Sequence, residues 1–247
     1  TLEVLAKRRD GFHEIRSVIQ TINLCDSLHF QLSQNIEFKS NVPNWVPQES
    51  LVSKAASLIK EVAKYSGGAA IEVSKRIPLV SGLGGDSSDA AAILRGLNKL
   101  WGLDLGLKEL LGLAAELGSD VAFFLYGGTA LVEGRGERVT PLPPFPHMWV
   151  VLVMPPVPRM SGKTAQLYAS LKASHYTGGQ ITERLVKELR EGGEFTPSLL
   201  FNTFENVAFT RLSELSVYRE HMAKVGATDV HLAGSGPALF TLLQDKA

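Results

Sequence analysis

Residues 78 to 92 read PLVSGLGGDSSDAAA: glycines at Gly82, Gly84 and Gly85, then Ser87 and Ser88, then an alanine-rich run. A helix start offers unpaired backbone N–H groups and a partial positive charge, and glycines let a phosphate approach them with no Cβ in the way. The same composition also serves a plain strand-to-helix reversal, so the loop alone leaves both readings open. Asp86 stands at its centre, where a carboxylate would repel an anion.

Outward from this loop the chain alternates strand and helix signals without a repeat or low-complexity tract. Strands are expected at Leu2 to Leu5, Ile22 to Leu32, Ala70 to Val73, Gly128 to Val132 and Trp149 to Met154. Residues 51–64 have helical spacing at Leu51, Ala55, Leu58, Ile59 and Val62. A second helix runs from Ser88 to Trp101, and a third over 107–117, stopped by Gly118. The proline cluster PLPPFPH at 141–147 marks either a domain boundary or a surface loop.

Bulk properties narrow the function classes. The 247 residues are 45% hydrophobic with 23 glycines, enough for a sizeable core. Lys plus Arg balance Asp plus Glu at 25 each, which removes the positive field that non-specific nucleic-acid binding needs. The single cysteine, Cys25, allows no intrachain disulfide and fits the cytoplasm. The longest apolar run, 148–157, is short for a bilayer and holds Pro155 and Pro156. The chain starts at TLEVLAKRR with strand-like alternation and no methionine, so a longer native N-terminus is expected.

Two common phosphate motifs fail. A dinucleotide fingerprint starting at Gly82 needs a glycine where Ser87 stands. SGKT at 161–164 looks like the end of a P-loop, but Val157 occupies the first-glycine position among prolines. Two further segments carry chemistry. Asp120 lies two residues past Gly118 and ahead of apolar Val121 to Leu125, placed either as a base or metal ligand or as the cap of the next element. HLAGSGPALF adds a second glycine loop, Gly234-Ser235-Gly236.

Together, PLVSGLGGDSSDAAA, the Asp120 segment and HLAGSGPALF resemble, in order, the three motifs of the superfamily named for galactokinase, homoserine kinase, mevalonate kinase and phosphomevalonate kinase. Within it, DGFHEIRSV at 10–18, GGTALVEGRGE and PPVPRMSGKTAQLY are similar to elements of the 4-diphosphocytidyl-2-C-methyl-D-erythritol kinase family. The resemblance implies an α+β fold of two domains. Residues 1–144 would form a ribosomal protein S5 domain 2-like, ATP-binding domain, and residues 145–247 a ferredoxin-like, substrate-binding domain, each short of its outer end. It implies transfer of the ATP γ-phosphoryl group to the substrate's 2-hydroxyl in the non-mevalonate isoprenoid pathway, with Mg²⁺, by a cytoplasmic monomer or homodimer with no nucleic-acid or membrane partner.

Residue by residue, the resemblance makes Asp120 the base and gives ATP to Pro78, Leu79, Val80, Ser81, Gly82, Leu83, Gly84, Gly85, Asp86, Ser87 and Ser88, with Ser87 as the metal-facing group. Phe12 and Tyr168 would sandwich the cytosine ring, His13 would bond its edge, and Gly234, Ser235 and Gly236 would complete the substrate site. Without that context Phe12 and Tyr168 read as core aromatics, and His13 as a satisfied surface histidine.

Three departures qualify the resemblance. The family's catalytic lysine, in an AKxNL element, is expected just before Thr1, and Lys7, Arg8 and Arg9 do not match its position. An NDFE-like element reads FNTFENV, with Thr203 in place of the acid. Asp86 replaces a third loop glycine, either capping the helix or facing Mg²⁺. Mevalonate kinase, homoserine kinase and a non-catalytic nucleotide-binding homologue are the alternatives.

Overall fold

The computed structural model describes every residue except 44, 48, 49, 159–161, 194, 228 and 245–247. Packing divides the chain into two compact units. The first comprises Thr1–Ile22, Val80–Leu83 and Gly128–Ala247; the second comprises Asn23–Leu79 and Gly84–Gly127.

The second unit holds a three-stranded sheet in the order β3-β5-β4, formed by β3 (Ser27–Ser33), β4 (Glu37–Ser40) and β5 (Gly68–Ser74). β5 runs antiparallel to β3 and parallel to β4. Ile71 and Val73 are buried on β5, and two residues further the alternation brings Lys75 inward as well. The expected strand from Ile22 begins only at Ser27, because the Asp26 carboxylate accepts the amides of Arg76 and Ile77 and takes that stretch out of a ladder.

Four helices accompany this sheet: α1 (Leu51–Val62), α2 (Gly85–Leu100), α3 (Leu107–Leu117) and α4 (Val121–Tyr126). α1 buries Val52, Ala55, Ala56 and Ile59 and leaves Val62 in water, so its core face is rotated from the expected one. α2 buries Ala90, Ile93, Leu94 and Leu97, and Trp101 stacks on Tyr65 with ring centroids 4.5 Å apart.

The first unit carries two antiparallel sheets. One runs β1-β2-β6-β7, from β1 (Leu2–Lys7), β2 (His13–Gln20), β6 (Thr129–Gly134) and β7 (Arg138–Pro141). The other runs β8-β10-β9, from β8 (Trp149–Val153), β9 (His231–Leu232) and β10 (Leu239–Leu243). Helices α5 (Lys163–Ser170), α6 (Gln180–Glu191), α7 (Glu205–Arg211) and α8 (Ser213–Lys224) complete it.

Val18 and Leu131 pack with Leu185, Val186 and Leu189 of α6, while Val4, Ile15, Leu167, Phe204 and Leu239 join a second cluster. Glu3 is fully buried and accepts the Thr182 amide at 2.6 Å, which serves the first turn of α6. The proline cluster lies inside this unit: Leu142 and Phe145 bond Thr129, and Phe145 packs edge-on against Phe195. Among the described residues no helix is long and apolar enough to cross a membrane.

Candidate active site

In the second unit, the phosphate-loop reading concentrates at the start of α2. The helix begins at Gly85, three residues earlier than expected, and its N-cap is Gly84 at φ +71°. That conformation suits glycine, and a Cβ there would lie 2.7 Å from the Phe124 ring of α4. Because the cap has no side chain, the amides of the first turn have no side-chain cap. Their dipole and N–H groups are left for an anion.

Asp86 therefore does not occupy the cap. It lies in the first turn, half-exposed, with its carboxylate 3.8 Å from Lys75 Nζ. Ser87 is half-buried beside it, and the Ser88 hydroxyl donates to Gly85 O at 2.8 Å.

Beneath this turn lies a buried charge cluster that the sequence reading missed. Lys75 Nζ is 2.7 Å from Asp26 Oδ2 and 2.7 Å from Asp89 Oδ2, and all three side chains are almost fully buried. Burial works against the Lys75 charge, but the hydrogen bonds to Asp26 and Asp89 outweigh it and raise its pKa. One ammonium cannot compensate two buried carboxylates equally. Asp26, which also accepts two backbone amides, is held below the usual carboxylate range despite its burial. Burial pushes Asp89 up to about 6, against the pull of Lys75.

Asp120 stands at the N-cap position of α4, yet its carboxylate makes no capping hydrogen bond, so capping does not account for it. Its side chain meets water, while the surrounding protein removes hydration and raises its pKa. The two effects oppose each other. α4 packs against α2, with Phe124 reaching Gly84.

In the first unit, Val80–Leu83 is sewn to the Gly234-Ser235-Gly236 turn. Ala238 N donates to Ser81 O at 3.0 Å, and a Cβ on Gly82, at φ +86°, would fall 2.3 Å from Ala233 O. Asn202 donates to Leu232 O and Gly234 O, both at 2.8 Å, and Glu205 accepts the Leu232 amide at 2.9 Å. Thr203 is fully buried and accepts the Val4 amide, a place where a third acid would lack solvation. Ser235 pairs with Thr164 at 2.8 Å. Ser161, in the P-loop-like SGKT, lies outside the described residues. Lys163 of that stretch is buried, and burial pushes its amine down to about 8.

His13 and Tyr168 come together, stacked with centroids 4.6 Å apart, and Tyr176 meets His13 edge-on. Burial, then the Lys7 charge, lowers the His13 pKa. Tyr168 also abuts the core ring of Phe204. Phe12 is exposed, and the Arg135 guanidinium lies 4.7 Å over its ring. Of the two rings expected to hold a base, Tyr168 has His13 stacked on it and Phe12, itself exposed, has Arg135 over it.

Residues 50–128, which include the α2 N-terminus and Asp120, match the family described as GHMP kinases N terminal domain. Over 246 residues the chain is 49% identical to a 4-diphosphocytidyl-2-C-methyl-D-erythritol kinase of Dehalococcoides mccartyi, covering 100% of this chain and 86% of that protein. The chain belongs to the 4-diphosphocytidyl-2-C-methyl-D-erythritol kinase family. A solved 4-(cytidine 5'-diphospho)-2C-methyl-D-erythritol kinase superposes with a TM-score of 0.82 at 34% identity, covering 98% of this chain and 85% of that one. The L. major mevalonate kinase solved with R-mevalonate has a TM-score of 0.70 at 17% identity, covering 94% and 81%, and shares the fold. As a member of the 4-diphosphocytidyl-2-C-methyl-D-erythritol kinase family, the chain has the mixed helix-and-sheet build expected of it.

Of the groups that sequence reasoning missed, Lys75 was within reach. It continues the buried odd-numbered positions of β5, and a lysine on that face demands partners. Arg135 and Lys163 lie in stretches the sequence singled out, EGRGE and SGKT, but nothing local pointed to their partners.

Proposed function

We propose that this protein transfers the γ-phosphoryl group of ATP to the 2-hydroxyl of 4-diphosphocytidyl-2-C-methyl-D-erythritol, a step in non-mevalonate isoprenoid precursor synthesis. The observation that carries this reading is the side-chain-free N-terminus of α2, whose first-turn amides have no cap. In this reading Pro78 to Ser88 hold the triphosphate, and the amides of Gly85, Asp86 and Ser87 stabilise its charge. Asp120 accepts the hydroxyl proton, a role compatible with solvent contact and a raised pKa.

His13 bonds the cytosine edge and Phe12 offers its ring to the base, stacking worth about 1–3 kcal/mol. Tyr168 then acts through His13, and Gly234, Ser235 and Gly236 line the substrate side. We keep the ribosomal protein S5 domain 2-like and ferredoxin-like domains, 1–144 and 145–247, and a cytoplasmic monomer or homodimer as parts of this reading.

Mg²⁺ fits the donors present: the Ser87 hydroxyl and Asp86 carboxylate are hard oxygens in the first turn of α2, and this ion takes one or two protein oxygens plus phosphates. When bound, it would neutralise charge on the phosphate oxygens. Lys75, 3.8 Å from Asp86, competes for that carboxylate and leaves Ser87 as the cleaner ligand.

The test is ADP release by purified protein offered ATP with 4-diphosphocytidyl-2-C-methyl-D-erythritol, mevalonate or homoserine. Release with the cytidine substrate alone is expected. Turnover of mevalonate or homoserine with the cytidine substrate ignored would overturn the assignment, and nucleotide binding without turnover of any alcohol would mark a non-catalytic homologue.

A further inference from the structure

Lys163 opens α5, is buried, and forms no ion pair among the described residues. Its ammonium donates instead to two backbone carbonyls, Val80 O at 3.1 Å and Gly236 O. These carbonyls sit at the ends of a contact with little slack. Ser81 O accepts the Ala238 amide, Gly82 has no room for a Cβ, and a Cβ on Gly234 would lie 2.9 Å from Gly82 O.

Val80 is the unusual member. It adopts φ +58°, a left-handed conformation that a β-branched residue occupies only under constraint from its surroundings. The residue is 52% exposed, so packing is a weak constraint. The constraint acts on the backbone, through the carbonyl that Lys163 holds. An ammonium suits the task, having three donors and no acceptor.

We propose that Lys163 is a positioning residue for ATP: it holds the Val80 peptide in its left-handed conformation and thereby fixes the Val80–Leu83 part of the 78–88 loop. This inference rests on the reading of residues 78–88 as the ATP loop. It gives the lysine of SGKT a backbone-holding part, because two of its three donors are spent on the Val80 and Gly236 carbonyls.

The experiment is a double-mutant cycle with Lys163→Met and Val80→Gly, each lysine replacement compared with its own parent. Glycine adopts φ +58° without help, so it should remove most of the need for the lysine. Lys163→Met should raise the KM for ATP about tenfold with kcat changed about twofold or less when Val80 is present, and raise it less than about twofold in the Val80→Gly parent. An equal factor in both parents, or an unchanged KM, overturns the proposal. Lys163→Gln serves the same comparison if the methionine variant melts early.

Amide hydrogen exchange over residues 80–83 and 233–238 makes the failure of this inference distinguishable from that of the kinase reading. It should accelerate about tenfold in Lys163→Met and far less in the double variant, whether or not the protein turns over. Protein that phosphorylates no alcohol but shows this exchange pattern refutes the activity and keeps the clamp; unaltered exchange refutes the clamp.

Discussion

A methyl group at position 82 has no space: it would sit 2.3 Å from Ala233 O on a residue at φ +86°. Gly82→Ala should therefore lower stability by more than about 1 kcal/mol, measured by denaturant midpoint at unchanged slope. Asp120 lies at the other extreme, a solvent-contacting carboxylate with no structural hydrogen bond at its cap position. Asp120→Asn should leave Tm nearly unchanged while kcat falls about 10²- to 10⁴-fold, with the KM for ATP little altered. A variant that keeps its kcat would remove Asp120 from the chemistry. Asp86→Gly tests a smaller effect. Half-exposed in the first turn, Asp86 adds less than about 1 kcal/mol through the dipole, so the loss should be small and ATP affinity preserved. A large fall in Mg²⁺-dependent ATP binding would place Asp86 at the metal instead.

At the scale of the element, α2 is fastened to β5 and to the start of β3 by the Lys75 cluster. Lys75→Met would leave two buried carboxylates facing each other and should cost about 3–5 kcal/mol in denaturant unfolding. The Asp89 carboxyl makes a distinct pH signature. Its folded pKa of about 6 exceeds the 3.8 of the free side chain, so between these values the folded state binds the proton more tightly. Its contribution is favourable at low pH and is lost as pH rises through about 6. The Tm of the parent minus that of Asp89→Asn should therefore fall between pH 4 and pH 6; a flat difference would mean that Asp89 titrates normally.

The elements also show where sequence signals act. α1 and α3 form where expected because their helical spacing is local, although the buried face of α1 is rotated, and glycine ends α3. α2 starts early because Gly84, in the left-handed conformation, turns the chain ahead of the serines. β2, β4 and β7 are short or only partly alternating, and none was expected as a strand, whereas the apolar runs flanking Gly234-Ser235-Gly236 do pair as the antiparallel β9 and β10. α6 went unread although it buries Thr182, Leu185, Val186 and Leu189 at helical spacing. α8 has only Leu215 and Met222 buried, too few to mark a face.

At the scale of the whole molecule, a ligand that binds only the folded chain stabilises it by mass action. ATP with Mg²⁺ at about 100 times its Kd should add about 2.7 kcal/mol, seen as a rise in Tm that inorganic phosphate at equal concentration does not reproduce. No rise at saturating nucleotide would contradict the ATP-loop reading.

The glycines of PLVSGLGGDSSDAAA, the spacing of α1 and α3 and the three ordered motifs were legible from the chain alone and sufficed to place it in its family, because each is a property of neighbouring residues. Tertiary structure alone decided that Lys75 would meet Asp26 and Asp89, that Lys163 would reach across 83 residues to Val80, and that Arg135 would cover Phe12. A buried charge needs partners, but sequence does not say which distant carboxylate or carbonyl will be carried to it. That choice is made when strands register and helices pack, so the groups that hold the loops in place become visible only once the chain is folded.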